Sequence, residues 1–173
     1  MFADDLQLRP GDRVLDVGCG TGRLAMVFGE RVAPGGSVDG IDAAAEMIKR
    51  ATGRASEHGM PVTFQVALAQ QLPFPDVTFD AVACILALHH VADDDQLTAV
   101  QEMYRVLKPG GRLLIAEFGK APRFPHLGIR RLRRSIEGNM VDKALQLAIA
   151  SGFTGATRGD TNLGWLGKIT GRK

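Results

Sequence analysis

The chain is poor in the residues that mark the specialised protein classes. Its 173 residues include two cysteines, Cys19 and Cys84, and no CxxC pair or histidine-rich cluster. Neither a disulfide framework nor a metal site is expected from so few ligands. No apolar run approaches the length needed to cross a bilayer. The opening residues, MFADDLQLRPGDR, carry acidic side chains where a secretory leader needs positive charge followed by an apolar stretch. The expected address is therefore cytoplasmic. Charge of one sign is also scarce: the formal net charge is +2, too small to announce nucleic acid as a partner. What remains is ordinary globular composition, 45% hydrophobic and 23% charged, in a length that makes one domain with its own core.

Strand-like and helix-like segments alternate. Arg13 to Val17 is a short apolar run between Pro10-Gly11 and a glycine cluster, and it reads as a buried strand. Helical spacing follows from Gly20 to Val32, then a strand at Ser37 to Ile41, a helix at Ala43 to Ser56 and a strand at Val62 to Val66. Phe79 to Leu86 is almost unbroken in its apolar character, as a central strand covered on both faces should be. A helix is expected from Asp94 to Leu107, stopped by Lys108-Pro109-Gly110-Gly111, and a fifth strand from Arg112 to Phe118. Beyond Gly119 the rhythm changes to a loop at Pro122 to Gly128, a basic helical stretch at Ile129 to Ile136 and a helix at Val141 to Ser151. Two strands close the chain, Thr154 to Asp160 and Leu163 to Thr170, turning near Thr161-Asn162. This order predicts an α/β fold: a Rossmann-like, doubly wound, mostly parallel sheet with a C-terminal antiparallel hairpin, seven strands in all.

The first strand runs into Asp16-Val17-Gly18-Cys19-Gly20-Thr21-Gly22. Glycines at a strand-to-helix turn allow close backbone approach to a ligand. A dinucleotide fingerprint would need glycine at position 23, where Arg23 stands, and a P-loop would need Gly-Lys-Ser/Thr. A carboxylate at Asp16 would repel pyrophosphate, whereas it can receive the ammonium group of an amino-acid ligand, directly or through water. About 20 residues further on, Asp42 ends the second strand, where a carboxylate can hydrogen-bond ribose hydroxyls or cap the next helix; the two roles can coexist.

VLDVGCGTG, GID, LPFPDVTFDAV, LALHHV and RVLKPGGRLLIAEF, in this order, resemble the class I S-adenosylmethionine-dependent methyltransferases, in particular the ubiquinone/menaquinone-biosynthesis type acting on small molecules. The resemblance is strong over residues 6–119. It implies S-adenosyl-L-methionine as cofactor and a small-molecule methyl acceptor, with a lipid- or quinone-like acceptor one form of it. Asp16, Gly18 and Gly20 would line its methionine part, with Cys19 a small cofactor-binding residue of the same crowded loop and Gly22 letting the helix start close by. Asp42 would hold the ribose, Ala43 and Met47 would lie near the adenine (Met47 equally a core residue), and Ala69 and Gln70 would meet the adenine edge. Cys84 would offer its backbone carbonyl to the ammonium group, and Leu86 and His89 would border the transferring methyl.

The sequence departs from the family at two places. Leu68 stands where the family carries an aspartate for the adenine amine, a loss worth roughly 1.5–3 kcal/mol that Gln70 can offset through its amide oxygen. The N-terminal cap is also short, with Phe2 and Leu6 making one turn at most. Both features are what a non-catalytic, cofactor-binding or scaffolding relative would show, and this is the rival reading. His89-His90 supply the one candidate base, the alternative being a cap for the turn and a packing residue. Arg130, Arg131, Arg133 and Arg134 form a basic cluster suited to peripheral membrane contact, to an acidic substrate or nucleic acid, or to a solvated lid, and the absence of interleaved aromatics argues against a single-strand stacking platform.

Overall fold

The structure, a computed structural model, describes residues 2–58, 60, 62–119 and 140–173. The loop expected at Pro122 to Gly128 and the basic stretch from Ile129 to Ile136, with Arg130 to Arg134, lie outside these residues. In chain order the elements are α1 (Phe2–Asp5), β1 (Arg13–Val17), α2 (Arg23–Val32), β2 (Ser37–Asp42), α3 (Ala45–His58) and β3 (Val62–Val66). Then come β4 (Phe79–Ile85), two short 3₁₀ turns at Leu88–His90 and Asp93–Asp95, α4 (Gln96–Val106), β5 (Leu107–Phe118), α5 (Met140–Ala150), β6 (Thr154–Asp160) and β7 (Leu166–Arg172).

The seven strands form one sheet in the order β3-β2-β1-β4-β5-β7-β6. The first five are mutually parallel, and β7 is antiparallel to both of its neighbours. From β1 the chain winds outward to β2 and β3, then returns to β4 on the other side of β1. The reversal opens a crevice above the carboxyl ends of β1 and β4, the place where doubly wound sheets bind ligands.

Alternation along β1 assigns its side chains to two cores. Leu15 and Val17 join Ile41, Phe79, Val82, Val100, Met103 and Val141 on the α4/α5 face. Val14 joins Ala25, Phe28, Val32, Val38 and Ala81 on the α2/α3 face, where Ala3 and Leu6 of the N-terminal turn also pack. Near 25 cal/mol per Å², each large side chain buried in this way contributes roughly 1.5–3 kcal/mol before entropy is counted.

Several boundaries move from where periodicity alone puts them. The helix expected from Gly20 begins at Arg23, because Gly20 and Gly22 have φ of +52° and +75° and cannot sit in a right-handed helix. The next helix begins at Ala45 rather than Ala43, since β2 runs through Asp42. Leu86 leaves β4 with φ +54°. The helix expected from Asp94 starts at Gln96, behind a 3₁₀ turn. Lys108-Pro109-Gly110-Gly111 does follow a helix end, but inside β5: Phe79 pairs with Leu107 and Ala81 with Arg112, so the four residues bulge out of the ladder. The last strand begins at Leu166 instead of Leu163. The Thr161 hydroxyl accepts the Leu163 amide (3.2 Å) and donates to the Leu166 carbonyl (2.6 Å), which holds the connection in a turn.

Candidate functional site

A cavity of about 570 Å³ occupies the crevice at the β1/β4 switch point, a size typical of small-ligand sites. Gly18 and Gly20 from the glycine loop, Asp42 at the end of β2, and Cys84 at the end of β4 line it. The opposite wall comes from Leu68, Ala69 and Gln70 after β3 and from Leu86, Ala87, His90, Val91, Ala92 and Asp95 after β4. The expected residues Gly18, Gly20, Asp42, Ala43, Met47, Ala69, Gln70, Cys84 and Leu86 thus surround one space.

The glycine loop is tied inward. The Gly18 and Cys19 amides both donate to the Ile41 carbonyl at 2.8 Å, and the Gly22 amide donates to Cys19. The Gly20 amide donates to Asp42 Oδ2 (2.9 Å), while Asp42 Oδ1 accepts the Ala44 amide (2.9 Å). Asp42 therefore fills its helix-start role while it faces the cavity. With these amides satisfied within the protein, the loop offers no nest of N–H groups for a pyrophosphate. At Gly18, φ is +73° and an added Cβ would meet the Ala87 Cβ at 2.2 Å, so only glycine fits.

Four expected residues stand behind the lining. Asp16 is buried on the α2 face beneath that helix's first turn, and the Ala25 amide is its backbone partner. Burial, reinforced by the Asp42 carboxylate, pushes its carboxyl up to about 7, and its Oδ2 has no hydrogen-bond partner. Gly22 serves packing: a Cβ there would meet Phe64 at 2.7 Å and Ala51 at 2.9 Å. Burial pushes the Cys19 thiol up, helped by the Asp16 and Asp42 carboxylates; burial does the same at Cys84, helped by Glu117 and Asp16. Both thiols are protonated and poor nucleophiles.

His89 is the fourth. Its Nδ1 lies 2.9 Å from Glu117 Oε2, and its backbone amide donates to Glu117 Oε1 (3.3 Å). The Glu117 side chain is fully buried and His89 is 10% exposed. The His89 ring lies tilted against His90 at 4.1 Å and edge-on to Phe118 at 5.1 Å, and Phe118 meets Trp165 at 5.7 Å. His90, not His89, lines the cavity. The segment is pinned by buried Gln96, whose Nε2 donates to the carbonyls of Leu88 (3.3 Å) and Val91 (3.0 Å). Sequence reasoning missed Glu117. The available signal was a single acid in the otherwise apolar run LLIAEF.

Residues 14–111 match the methyltransferase domain family, and the chain belongs to that family. Among its relatives, the demethylmenaquinone methyltransferase of Symbiobacterium thermophilum is 42% identical over 69% of this chain and 47% of the relative. The ubiquinone/menaquinone biosynthesis C-methyltransferase UbiE of Hahella chejuensis is 43% identical over 68% of this chain and 47% of the relative. The chain thus spans about half the length of the curated relatives it matches. A SAM-dependent methyltransferase from Aquifex aeolicus superposes with a TM-score of 0.81 at 22% identity, covering 99% of this chain and 87% of that one. The [4+2]-cyclase SpnF superposes at 0.82 and 24% identity, covering 99% and 78%. These two likenesses establish the fold. Among the described residues no helix is long and apolar enough to cross a membrane, and no cluster suits a metal ion.

Proposed function

We propose that the cavity binds S-adenosyl-L-methionine and that the protein is a methyltransferase transferring the methyl group to a small apolar or amphipathic acceptor, quinone-like as the names of its relatives suggest. The observation that carries this reading is the meeting of Gly18, Gly20 and Asp42 at one switch-point cavity. The residues present fit the cofactor. Asp42 keeps lone pairs for ribose hydroxyls beyond its two backbone bonds, Gly18 removes bulk where the ligand approaches, and the inward-tied loop suits a ligand without phosphate. Asp16, with one oxygen unpartnered, is the group that would answer an ammonium charge.

When bound, the cofactor supplies an electrophilic methyl on sulfonium sulfur. The chain's own part is to orient, to exclude water and to accept a proton. In this reading His89 accepts the proton from behind the cavity wall, where its ring lies 4.1 Å from that of the cavity-lining His90. Glu117 accepts the His89 Nδ1–H and so fixes the tautomer that leaves Nε2 basic. Two buried, unpaired thiols agree with a cytoplasmic setting, and a modest net charge agrees with an acceptor other than nucleic acid. The basic residues Arg130 to Arg134 would add peripheral contact with an anionic membrane.

Calorimetric titration with S-adenosylmethionine and S-adenosylhomocysteine tests the reading. Micromolar binding of both is expected, with at least roughly a hundredfold loss in Asp42→Ala, which removes a charged acceptor. Absence of heat at millimolar ligand would leave the scaffolding alternative standing. The cyclase likeness makes this arm necessary, because the fold is shared with a protein named for another reaction.

A further inference from the structure

Two carboxylates line the cavity among the described residues, Asp42 and Asp95. They are not equivalent. Each Asp42 oxygen already accepts a backbone amide. Asp95 comes from the 3₁₀ turn ahead of α4, and its Oδ2 accepts a long hydrogen bond of 3.5 Å from Gln70 Nε2. The bond joins the β3 wall of the cavity to the β4 wall across 25 residues of sequence. Among the described residues, Asp95 Oδ1 and Gln70 Oε1 have no protein donor. Around them the surface is apolar: Leu68, Ala69, Val91 and Ala92.

We infer that Asp95, steadied by Gln70, is a specificity residue of this cavity that accepts the exocyclic amine of a purine. Two acceptors side by side at the rim of an apolar slot fit a flat heteroaromatic ring presenting an amino group. They reject a ring presenting a carbonyl, since acceptor would face acceptor. Leu68 brings no acceptor to the β3 wall, so the task falls to an acid from a different connection. Asp42 and Asp95 would then bracket a nucleoside, one at the sugar and the other at the base. This rests on the cofactor reading above and sharpens it.

The test compares S-adenosylhomocysteine with S-inosylhomocysteine, which carries a carbonyl in place of the amine and a hydrogen on the neighbouring ring nitrogen, by calorimetry on the purified full chain. The wild type should bind the adenosine compound roughly ten- to a hundredfold more tightly. Asp95→Asn, whose amide can donate to a carbonyl, should erase or reverse that preference. Its backbone bond to Ala92 is untouched, so the turn should hold. Asp93→Asn is the control: that acid lies in the same turn, pairs with Lys143 outside the cavity, and should keep the preference. Equal wild-type affinities, or a preference undiminished in Asp95→Asn, would overturn the inference. Failure of S-adenosylhomocysteine to bind wild type at all would sink the cofactor reading and this inference with it.

Discussion

The two walls of the cavity are built differently. On the β1/β2 side the backbone amides of Gly18, Cys19, Gly20, Gly22 and Ala44 are all bonded within the protein, and the Asp42 carboxylate closes the circuit. On the β3/β4 side the chain is held from behind, by Gln96 under Leu88 and Val91, by Glu102 on the Leu72 amide and by Glu117 on His89. Its cavity-facing polar groups are left largely unsatisfied. The first wall is a pre-organised cradle whose shape is fixed by backbone bonds. The second presents side chains with unspent hydrogen-bonding capacity, which is where discrimination between ligands and proton transfer are most readily built.

If that contrast holds, substitutions on the second wall should change turnover or ligand preference, and those in the glycine loop of the first should change stability, with Asp42 the one first-wall side chain whose loss also costs affinity. The largest effect is expected from His89→Asn. The asparagine amide can still donate to Glu117 but carries no basic nitrogen, so under the proposed function methyl transfer to a quinone-like acceptor should fall about 10²- to 10⁴-fold while S-adenosylhomocysteine affinity stays constant. A parallel loss of affinity in the titration would show that His89 shapes the cavity instead.

Next is Asp16→Asn, read by chemical denaturation across pH. The folded carboxyl titrates near 7 against an ordinary 3.8. Below pH 3.8 both states hold the proton and the substitution has no electrostatic effect. As pH rises from about 4 to 7 the unfolded chain ionises while the folded one resists, so wild-type stability falls. Above 7 the variant should be the more stable by up to about 4 kcal/mol, at 1.36 kcal/mol for each pKa unit. A flat pH profile would place Asp16 in a more solvated setting than the structure gives it.

Gly18→Ala should cost about 2–5 kcal/mol, combining left-handed backbone strain with the clash against Ala87. The thermal midpoint would reveal it, and an unchanged midpoint would mean that the loop relaxes. The smallest effect belongs to Gln70→Ala, a roughly three- to tenfold loss of S-adenosylhomocysteine affinity through one neutral hydrogen bond, with stability unaltered.

Much of this was legible in the sequence. β1, β3 and β6 begin and end where pattern and turn residues place them, because the breakers that flank them leave strong local signatures. The glycine loop and Asp42 could be named together because each sits at a fixed distance from a strand end. Boundaries failed where a bond outside the periodic pattern took over: the Thr161 hydroxyl holding its own turn, and the ladder register that makes Lys108 to Gly111 a bulge.

By itself, then, the sequence determined the alternation of elements, the parallel sheet, the family and the cradle side of the cavity, since period, spacing and glycine chemistry are local properties. Only the tertiary structure decided that His90 rather than His89 lines the cavity, that Glu117 orients His89, that Asp16 is buried beneath α2, and that Gln70 meets Asp95. The Glu117–His89 and Gln70–Asp95 pairings join residues 25 or more positions apart, and their chemistry arises only when the sheet order brings the strand ends together.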